Sequence, residues 1–354
     1  ECASLSNMAG VYHVRAQYDK CLEYYKRALE IYQSLGDKHG QGTINTNLGT
    51  LYYSLSKYEL SVTYYETAIK ISKDIRDRQG EALAYLNLGR VQEAVANYPE
   101  SLKSLQRSLE ISQDIGDQQV EGAAYSSMGS VYNSLGQLLD SIQCQEKAIK
   151  IYEAIGEKQG LGESYNKLGS VYSDLGQFQK ALECYEKGLE IRKAIGNKQG
   201  EAASYNNFGS VYYELRQLEK AIESHEKALL IRREIRDKRG EGVSCNNLGT
   251  VYDDLGQYEK AIIHFNESQK ISSEIGDRPT ERVSYNNMGN SYLAKGQYDE
   301  SMDCQKKALD ISIAIGDKPG EAVSYSNLSS VSCSSETRKG GRVSGKSIGN
   351  KRGY

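Results

Sequence analysis

A strict repeat of 40 residues constrains this chain more than any other feature of its sequence. Two residue types return every 40 positions without an insertion or deletion: Gly49, Gly89, Gly129, Gly169, Gly209, Gly249 and Gly289, and Ile31, Ile71, Ile111, Ile151, Ile191, Ile231, Ile271 and Ile311. Eight units therefore fill residues 1–320, and a ninth begins at Glu321. In such an array each repeat buries its apolar face against its neighbours, so the chain needs no single globular core.

Each repeat carries two apolar stripes with helical spacing. In the unit 161–200, Tyr165, Leu168, Gly169 and Tyr172 form the first stripe, and a second runs from Phe178 to Ile195. Glycine suits the left-handed residue after a helix, and Asp or Asn caps the helix that follows. With only 3 prolines in 354 residues, the sequence predicts an all-α solenoid of eight helix–turn–helix repeats.

The column of glycines lies in the middle of each first helix. Glycine there costs up to about 1 kcal/mol relative to alanine, so its repeated use needs a structural reason. We expect close contact between the two helices of a repeat, against small residues of the second helix. These residues are Ser61, Ser101, Ser141, Ala181, Ala221, Ala261 and Ser301.

The pattern Tyr165-x-x-Leu168-Gly169-x-x-Tyr172, followed by Ala181-x-x-x-Tyr185, resembles the tetratricopeptide repeat (TPR) signature. Tyr stands where that signature has Trp. The 40-residue unit is longer than the usual one of about 34, and in this it is similar to the arrays of G-protein-signalling-modulator (LGN/Pins-type) scaffolds and of tetratricopeptide repeat protein 28. The resemblance implies that the first helices line a concave groove that binds segments of other proteins.

By that resemblance, the residues beside Leu and Gly on each first helix are the candidate groove residues. They are Asn47, Asn87, Arg90, Ser130, Asn133, Ser170, Asn207, Ser210, Tyr213, Asn247, Thr250, Asp253, Asn287 and Asn290. Asparagine is poor in the middle of a helix, and its amide can both donate and accept hydrogen bonds. We therefore expect the Asn ladder either to pair with the main chain of an extended partner segment or to bond to the neighbouring helix.

Charge gives limited information about partners. The formal net charge is −3, so no global basic field favours nucleic acid or an anionic membrane, and we expect neither as a partner. Asp174, Glu214 and Asp254 add acid in the later repeats, which indicates either a ligand with basic character or a solvated acidic face. No apolar run approaches the roughly 20 residues needed to span a bilayer.

The residues that could act in catalysis or bind a metal form no recognisable motif in the sequence. The 7 cysteines and 4 histidines lack tight Cys/His spacing, so we expect no metal, and no Gly-rich phosphate loop follows a strand. Buried thiols and a core-filling His225 are the expected roles. We therefore predict no enzymatic activity and no cofactor.

The repeat dissolves after Leu328. The predicted array covers 1–40, 41–80, 81–120, 121–160, 161–200, 201–240, 241–280, 281–320 and a partial unit 321–328. Residues 329–354 are rich in Ser, Gly, Lys and Arg, and we expect them to be disordered. The chain begins at Glu1 within a helix, so we expect the natural protein to continue on that side, and uncapped ends could allow self-association.

Together these patterns predict a cytoplasmic adaptor or scaffold that binds peptide or helical segments of other proteins. The alternative, from another class, is the sensor or assembly arm of a larger signalling ATPase whose nucleotide-binding module lies outside this chain.

Overall fold

A computed structural model describes residues 2–15 and 17–347, with side chains described there except at positions 3, 14 and 337–347. These residues form helices and turns, without a strand, which confirms the all-α prediction. The helices are α1 (Cys2–Val14), α2 (Tyr18–Ser34), α3 (Lys38–Ser54), α4 (Tyr58–Asp74), α5 (Arg78–Ala94), α6 (Tyr98–Ile115), α7 (Gln118–Ser134), α8 (Leu138–Ile155), α9 (Lys158–Asp174), α10 (Phe178–Ala194), α11 (Lys198–Glu214), α12 (Leu218–Glu234), α13 (Lys238–Asp254), α14 (Tyr258–Glu274), α15 (Arg278–Ala294), α16 (Tyr298–Ile315) and α17 (Lys318–Ser347).

The helices pair in the order of the chain. Each odd-numbered helix up to α15 packs against the even-numbered helix that follows, α9 and α10 through Leu168 and Cys184. The eight hairpins correspond to the eight sequence repeats. The chain divides into two compact units, Glu1–Ile191 and Arg192–Tyr354, which we call the N-terminal and C-terminal units. The sequence predicted one continuous array, and the division falls within α10.

Helix ends follow the local sequence. The Asp37 side chain accepts a hydrogen bond from the Gly40 N–H at 2.9 Å, and Asp77, Asp117, Asn197, Asp237, Asp277 and Asp317 cap their helices in the same way. Glu157 caps α9 although its side chain is longer. Gly196 adopts φ +68° after α10, as its position at the helix end predicts. The predicted helix–turn–helix repeat is therefore confirmed at its boundaries.

The glycine column marks close contact between the two helices of each hairpin. A Cβ atom built on Gly169 would lie 2.6 Å from the Tyr185 ring, and one on Gly209 would lie 2.5 Å from the His225 ring. In four hairpins the small residue opposite is serine, whose hydroxyl donates to the glycine carbonyl; Ser61 and Gly49 do so at 2.8 Å. The glycine is needed because a side chain of the second helix, aromatic, amide or, at Leu105, aliphatic, fills the space that a Cβ would occupy.

Apolar packing continues from one repeat to the next within each unit. In the N-terminal unit one buried cluster joins Ala82, Leu105 and Ile111 to Ala124 and Met128, so it spans two hairpins. In the C-terminal unit Leu229 packs with Cys245 and Leu248 across α12 and α13. Each repeat thus obtains its core from its neighbours, as expected for a solenoid.

The last helix differs from the sequence prediction. Residues 329–354 were expected to be disordered, whereas α17 runs from Lys318 to Ser347. Val331 is fully buried, so an apolar anchor extends the packed surface beyond Leu328. The remainder of that predicted segment, 348–354, lies outside the described residues. Among the described residues no helix is both long and apolar enough to cross a membrane.

Candidate functional site

The fourteen residues predicted to line a groove all lie on odd-numbered helices, from α3 to α15. Within a helix they are three or six positions apart, which places them on one face. None of them is buried; each is half-buried or exposed. Residues from Asn47 to Ser170 belong to the N-terminal unit and those from Asn207 to Asn290 to the C-terminal unit. We call this face the odd-helix face.

In the C-terminal unit the asparagines of the odd-helix face bond to one another. Asn247 Nδ2 donates to Asn206 Oδ1 at 2.8 Å, and Asn287 Nδ2 donates to Asn246 Oδ1 at 3.2 Å. Asn327 continues the pattern towards Asn286 at 2.7 Å. Of the two uses that the sequence left open for Asn247 and Asn287, the structure therefore shows bonding to the neighbouring helix. Each amide is half-buried.

The row of short hydroxyl residues bonds back to its own helices. Ser130 donates to the Ser126 carbonyl at 3.2 Å, Ser210 to the Asn206 carbonyl at 3.2 Å, and Thr250 to the Asn246 carbonyl at 3.1 Å. Ser170 holds the equivalent position on α9. Asn290 Oδ1 accepts from Gln305 Nε2 at 3.0 Å. Small side chains that fold onto the helix leave room above this row.

The outer row connects neighbouring repeats. Asn133 Nδ2 donates to Asp174 at 3.1 Å in the N-terminal unit. In the C-terminal unit the Tyr213 hydroxyl donates to Asp254 at 2.8 Å, and Arg216 pairs with the same carboxylate at 2.6 Å.

Burial, together with the nearby Asp254 carboxylate, raises the pKa of Tyr213 to about 12, so its hydroxyl keeps the donated proton. Asp253 accepts from Ser291 of the next repeat. Of the acids that the sequence linked either to a basic ligand or to a solvated face, Asp174 and Asp254 are thus engaged within the protein.

A cluster of opposite charges distinguishes the odd-helix face of the N-terminal unit. Arg90 Nε donates to Ser127 Oγ at 3.0 Å, and Lys167 Nζ donates to Ser126 Oγ at 3.0 Å. Burial lowers the pKa of Lys167, and the like charge of Arg90 adds to this effect. Burial raises the pKa of Glu93, opposed by the two cations.

Sequence reasoning predicted Arg90 and missed Lys167. The available signal was that Lys167, like Ser127, departs from the column in which the other repeats have Asn47, Asn87, Asn207, Asn247 and Asn287.

Arg90 also lines an open cavity of about 780 Å³ in the N-terminal unit. Most of its lining comes from the amino-terminal halves of α3, α5, α7 and α9, with Arg90 farther along α5 and Tyr152 on α8. Its lining is His39, Thr43, Asp77, Gln79, Gly80, Leu83, Leu86, Arg90, Asp117, Gln119, Val120, Ala123, Tyr152, Glu157, Gln159 and Glu163. Leu83 is 40% exposed there, which is a large exposed fraction for a leucine. A polar rim around a small apolar floor suits a segment of polypeptide.

The charge of this cavity is negative. Asp77, Asp117, Glu157 and Glu163 supply four carboxylates, against the single guanidinium of Arg90. Three of the carboxylates cap helices, where each helix end contributes roughly half a positive charge. The net charge of the cavity lining is then about one to two negative charges. This sum leaves out His39, whose ring lies 3.2 Å from Asp77. The cavity therefore favours a cationic ligand over an anionic one.

The buried thiols are poorly suited to covalent chemistry. Burial raises the pKa of Cys144, Cys184 and Cys304 to about 11, so their thiols stay protonated near neutral pH. The thiolate is the nucleophilic form of cysteine. His225 is 2% exposed, and its pKa is lowered to about 4 by burial. These groups act as packing residues, as the sequence predicted for His225.

Comparison with known proteins agrees with this architecture. The family model described as tetratricopeptide repeat matches residues 1–74, 41–114, 120–194, 200–274 and 280–336. No curated protein matches the chain in sequence.

Solved structures share the fold at low sequence identity. One is a signal transduction ATPase with numerous domains and a tetratricopeptide repeat sensor, from Pyrococcus horikoshii. It has a TM-score of 0.67 and 18% identity, over 92% of this chain and 50% of that one. A second is a Rap protein complexed with competence and sporulation factor, with a TM-score of 0.60 and 15% identity, over 94% and 97% of the two chains. A third is BtubC from P. vanneervenii, with a TM-score of 0.56 and 20% identity, over 62% and 92%.

The family model covers most of the chain, its matches coincide with the helical hairpins, and the solved structures have the same fold. The TPR fold is typical of non-catalytic scaffolds for protein interactions. The chain belongs to the tetratricopeptide repeat family.

Proposed function

We propose that this protein is a scaffold that binds a basic segment of another protein on the odd-helix face of its N-terminal unit. The observation that carries the proposal is the open cavity of about 780 Å³ with its excess of carboxylates. The partner segment would lay its cations against Asp77, Asp117, Glu157 and Glu163 and place an apolar side chain on Leu83. Charge complementarity of this kind supplies selectivity and a faster association rate.

The asparagines of the C-terminal unit take a different role in this proposal. Because Asn247 and Asn287 already hold neighbouring helices together, they keep the spacing of the odd helices constant. Each of their half-buried amides uses one N–H in these bonds, and we propose that the second N–H and the carbonyl oxygen pair with a partner's main chain. We also propose that the protein is cytoplasmic and that, among TPR proteins, it resembles LGN/Pins-type scaffolds and tetratricopeptide repeat protein 28.

The test uses three fluorescent peptides of equal length, with basic, neutral and acidic composition and one central leucine each. Binding to the full chain is measured by fluorescence anisotropy at low and at physiological ionic strength. We expect the basic peptide to bind best and to lose affinity as salt is raised. Glu163→Lys should weaken that binding about tenfold or more, since it reverses one charge of the cavity and each 1.4 kcal/mol is tenfold.

Glu190→Lys is the matched control. Glu190 is exposed on α10, outside the cavity, and undergoes the same reversal of charge. Equal affinity for the basic and acidic peptides, or equal losses in the two variants, would show that the cavity does not select a basic segment.

A second candidate is the sensor or assembly arm of a larger signalling ATPase. The observation in its favour is the fold shared with the repeat sensor of the Pyrococcus horikoshii ATPase, of which this chain spans half the length. A nucleotide-binding P-loop encoded in frame with this chain would support that candidate, and its absence from the complete reading frame would oppose it.

A further inference from the structure

Four repeats place the same pair of side chains between their two helices. Lys187 Nζ lies 5.4 Å from the centroid of the Tyr165 ring, and the same contact joins Lys147 to Tyr125, Lys227 to Tyr205 and Lys307 to Tyr285. A cation over an aromatic face is worth about 0.5–1 kcal/mol at an exposed site. This pair therefore fastens the first helix of the repeat to the second.

The repeat 241–280 replaces both members of this pair. Cys245 stands at the tyrosine position and Glu267 at the lysine position, and His264 stands where Cys144, Cys184 and Cys304 lie in other repeats. A fully buried thiol and a carboxylate cannot form the cation–ring contact. Three departures from a strict repeat at one place indicate a different kind of contact there.

The three departures meet in space. One donor atom from each of Cys245, His264 and Glu267 lies within 4.8 Å of the other two. Cys245 comes from α13, while His264 and Glu267 lie one turn apart on α14. The Cys245 thiol hydrogen-bonds to the Glu267 carboxylate. The cluster thus joins the same two helices that the Lys–Tyr pair joins elsewhere.

The imidazole and the carboxylate are both held in place. The His264 ring stacks on Tyr252, with centroids 5.4 Å apart and planes at 3°, and its Nδ1 atom is buried without a hydrogen-bond partner. Arg233 of α12 donates to Glu267 Oε1, and it also donates to Glu241 at 2.9 Å. A buried ring nitrogen without a partner is uncommon. His225 Nδ1 shares this state, but only His264 has a thiol and a carboxylate beside it among the described residues, so its ring can take a ligand together with them.

We propose that Cys245, His264 and Glu267 form a site for a divalent transition-metal ion, with zinc the best match. Thiolate, imidazole and carboxylate are the donors that zinc takes in proteins, whereas calcium and magnesium require oxygen donors. Zinc bonds of about 2.0–2.3 Å separate neighbouring ligand atoms by roughly 3.3–3.7 Å. The cluster therefore closes by about 1 Å on binding, through the half-buried side chains of His264 and Glu267.

The charges of the proposed site balance. On binding, the Cys245 thiol proton leaves to solvent and the sulfur becomes a thiolate ligand. The thiolate and the Glu267 carboxylate match the two positive charges of the ion, and Arg233 keeps Glu241 as a partner. Three protein ligands leave a fourth position, which water or a group from a partner protein can take.

The test titrates the reduced, metal-free full chain with CoCl₂ and then with ZnCl₂. Cobalt(II) bound to a thiolate gives a charge-transfer absorption, and tetrahedral coordination gives strong visible bands. We expect one cobalt ion per chain, displaced by zinc. Cys245→Ser should abolish the thiolate band and weaken zinc binding by more than about tenfold, since even outer-shell changes cost 10–100-fold.

Two further variants keep the test decisive. Glu267→Lys introduces the lysine that other repeats have at this half-exposed position, so the variant should fold. Because it removes one ligand, it should bind zinc at least about tenfold more weakly. Cys304→Ser removes a buried thiol of the next repeat and should leave both metals bound as in the parent. Absence of stoichiometric binding by the parent, or an unchanged thiolate band in folded Cys245→Ser, would overturn the proposal, as would an equal loss in Cys304→Ser.

Discussion

Two glycines of the same helix, Gly249 and Gly242 of α13, should respond to alanine in opposite directions. A Cβ on Gly249 would lie 2.6 Å from the Phe265 ring, which is 1% exposed. A Cβ on Gly242 would lie 3.4 Å from Ser272 Oγ and 3.7 Å from Ile271 Cγ2. Carbon atoms in good contact lie about 3.5–4.0 Å apart. Only the first substitution therefore creates an overlap, of about 1 Å.

The expected magnitudes follow from this difference. Alanine in place of glycine inside a helix gains about 0.8–1 kcal/mol at either position. At Gly249 the overlap adds a cost of about 1–3 kcal/mol for overpacking, at the upper end because the buried Phe265 ring has no room to turn away. We expect Gly242→Ala to stabilise the fold by about 0.5–1 kcal/mol and Gly249→Ala to destabilise it by about 1–2 kcal/mol. Alanine already occupies the position of Gly242 at Ala82 and Ala202.

The assay is urea unfolding of the full chain followed by circular dichroism at 222 nm, the standard helix wavelength. Because repeat arrays can unfold in parts, amide hydrogen exchange of α13 and α14 is measured in parallel. Protection of these helices should rise in Gly242→Ala and fall in Gly249→Ala. Shifts of the same sign in the two variants, or a Gly249→Ala protein as stable as the parent, would refute the close-contact explanation of the glycine column.

Two further predictions concern His225 and the Asn ladder. Because burial lowers the pKa of His225 to about 4, the unfolded chain binds a proton between roughly pH 6.5 and 4 that the folded chain does not. The contribution of neutral His225 to the free energy of unfolding is therefore fully present above pH 6.5. It falls by about 3 kcal/mol as the pH is lowered from 6.5 to 4. Unfolding of His225→Phe by urea should be less pH-dependent there, and parallel profiles would contradict this. A double-mutant cycle with Asn206→Ala and Asn247→Ala should give a coupling of about 0.5–1.5 kcal/mol; a coupling near zero would mean that these amides do not hold the helices together.

The sequence predicted the fold nearly completely, because the same capping residues, glycines and apolar stripes recur in each 40-residue repeat. Asp37 and Asp77 cap helices as expected, and Gly196 ends one in the left-handed conformation. The extension of α17 past Leu328 was missed because the polar composition of this segment hides the buried side chain of Val331.

The candidate site was predicted less completely. Placement of Asn47, Arg90 and Ser210 on the odd helices followed from helical periodicity. That Asn247 bonds to Asn206 did not follow, because a sequence pattern does not choose between two acceptors for the same amide. Lys167 was missed because an isolated change in a repeated column, like that at Ser127, looks like drift until the Lys167 ammonium is found beside Ser126.

The sequence by itself determined the unit of structure: the 40-residue helical hairpin, its caps, and the glycine on which its close packing depends. These are local properties, set by residues within about one hairpin of one another. Only the tertiary structure decided which side chains of different helices meet, as with Arg90 at Ser127, Lys167 at Ser126, and Cys245 with His264 and Glu267 between two helices. Such meetings depend on how each helix rotates against the next, and that rotation is set by side-chain packing across the repeats rather than by the period of the sequence.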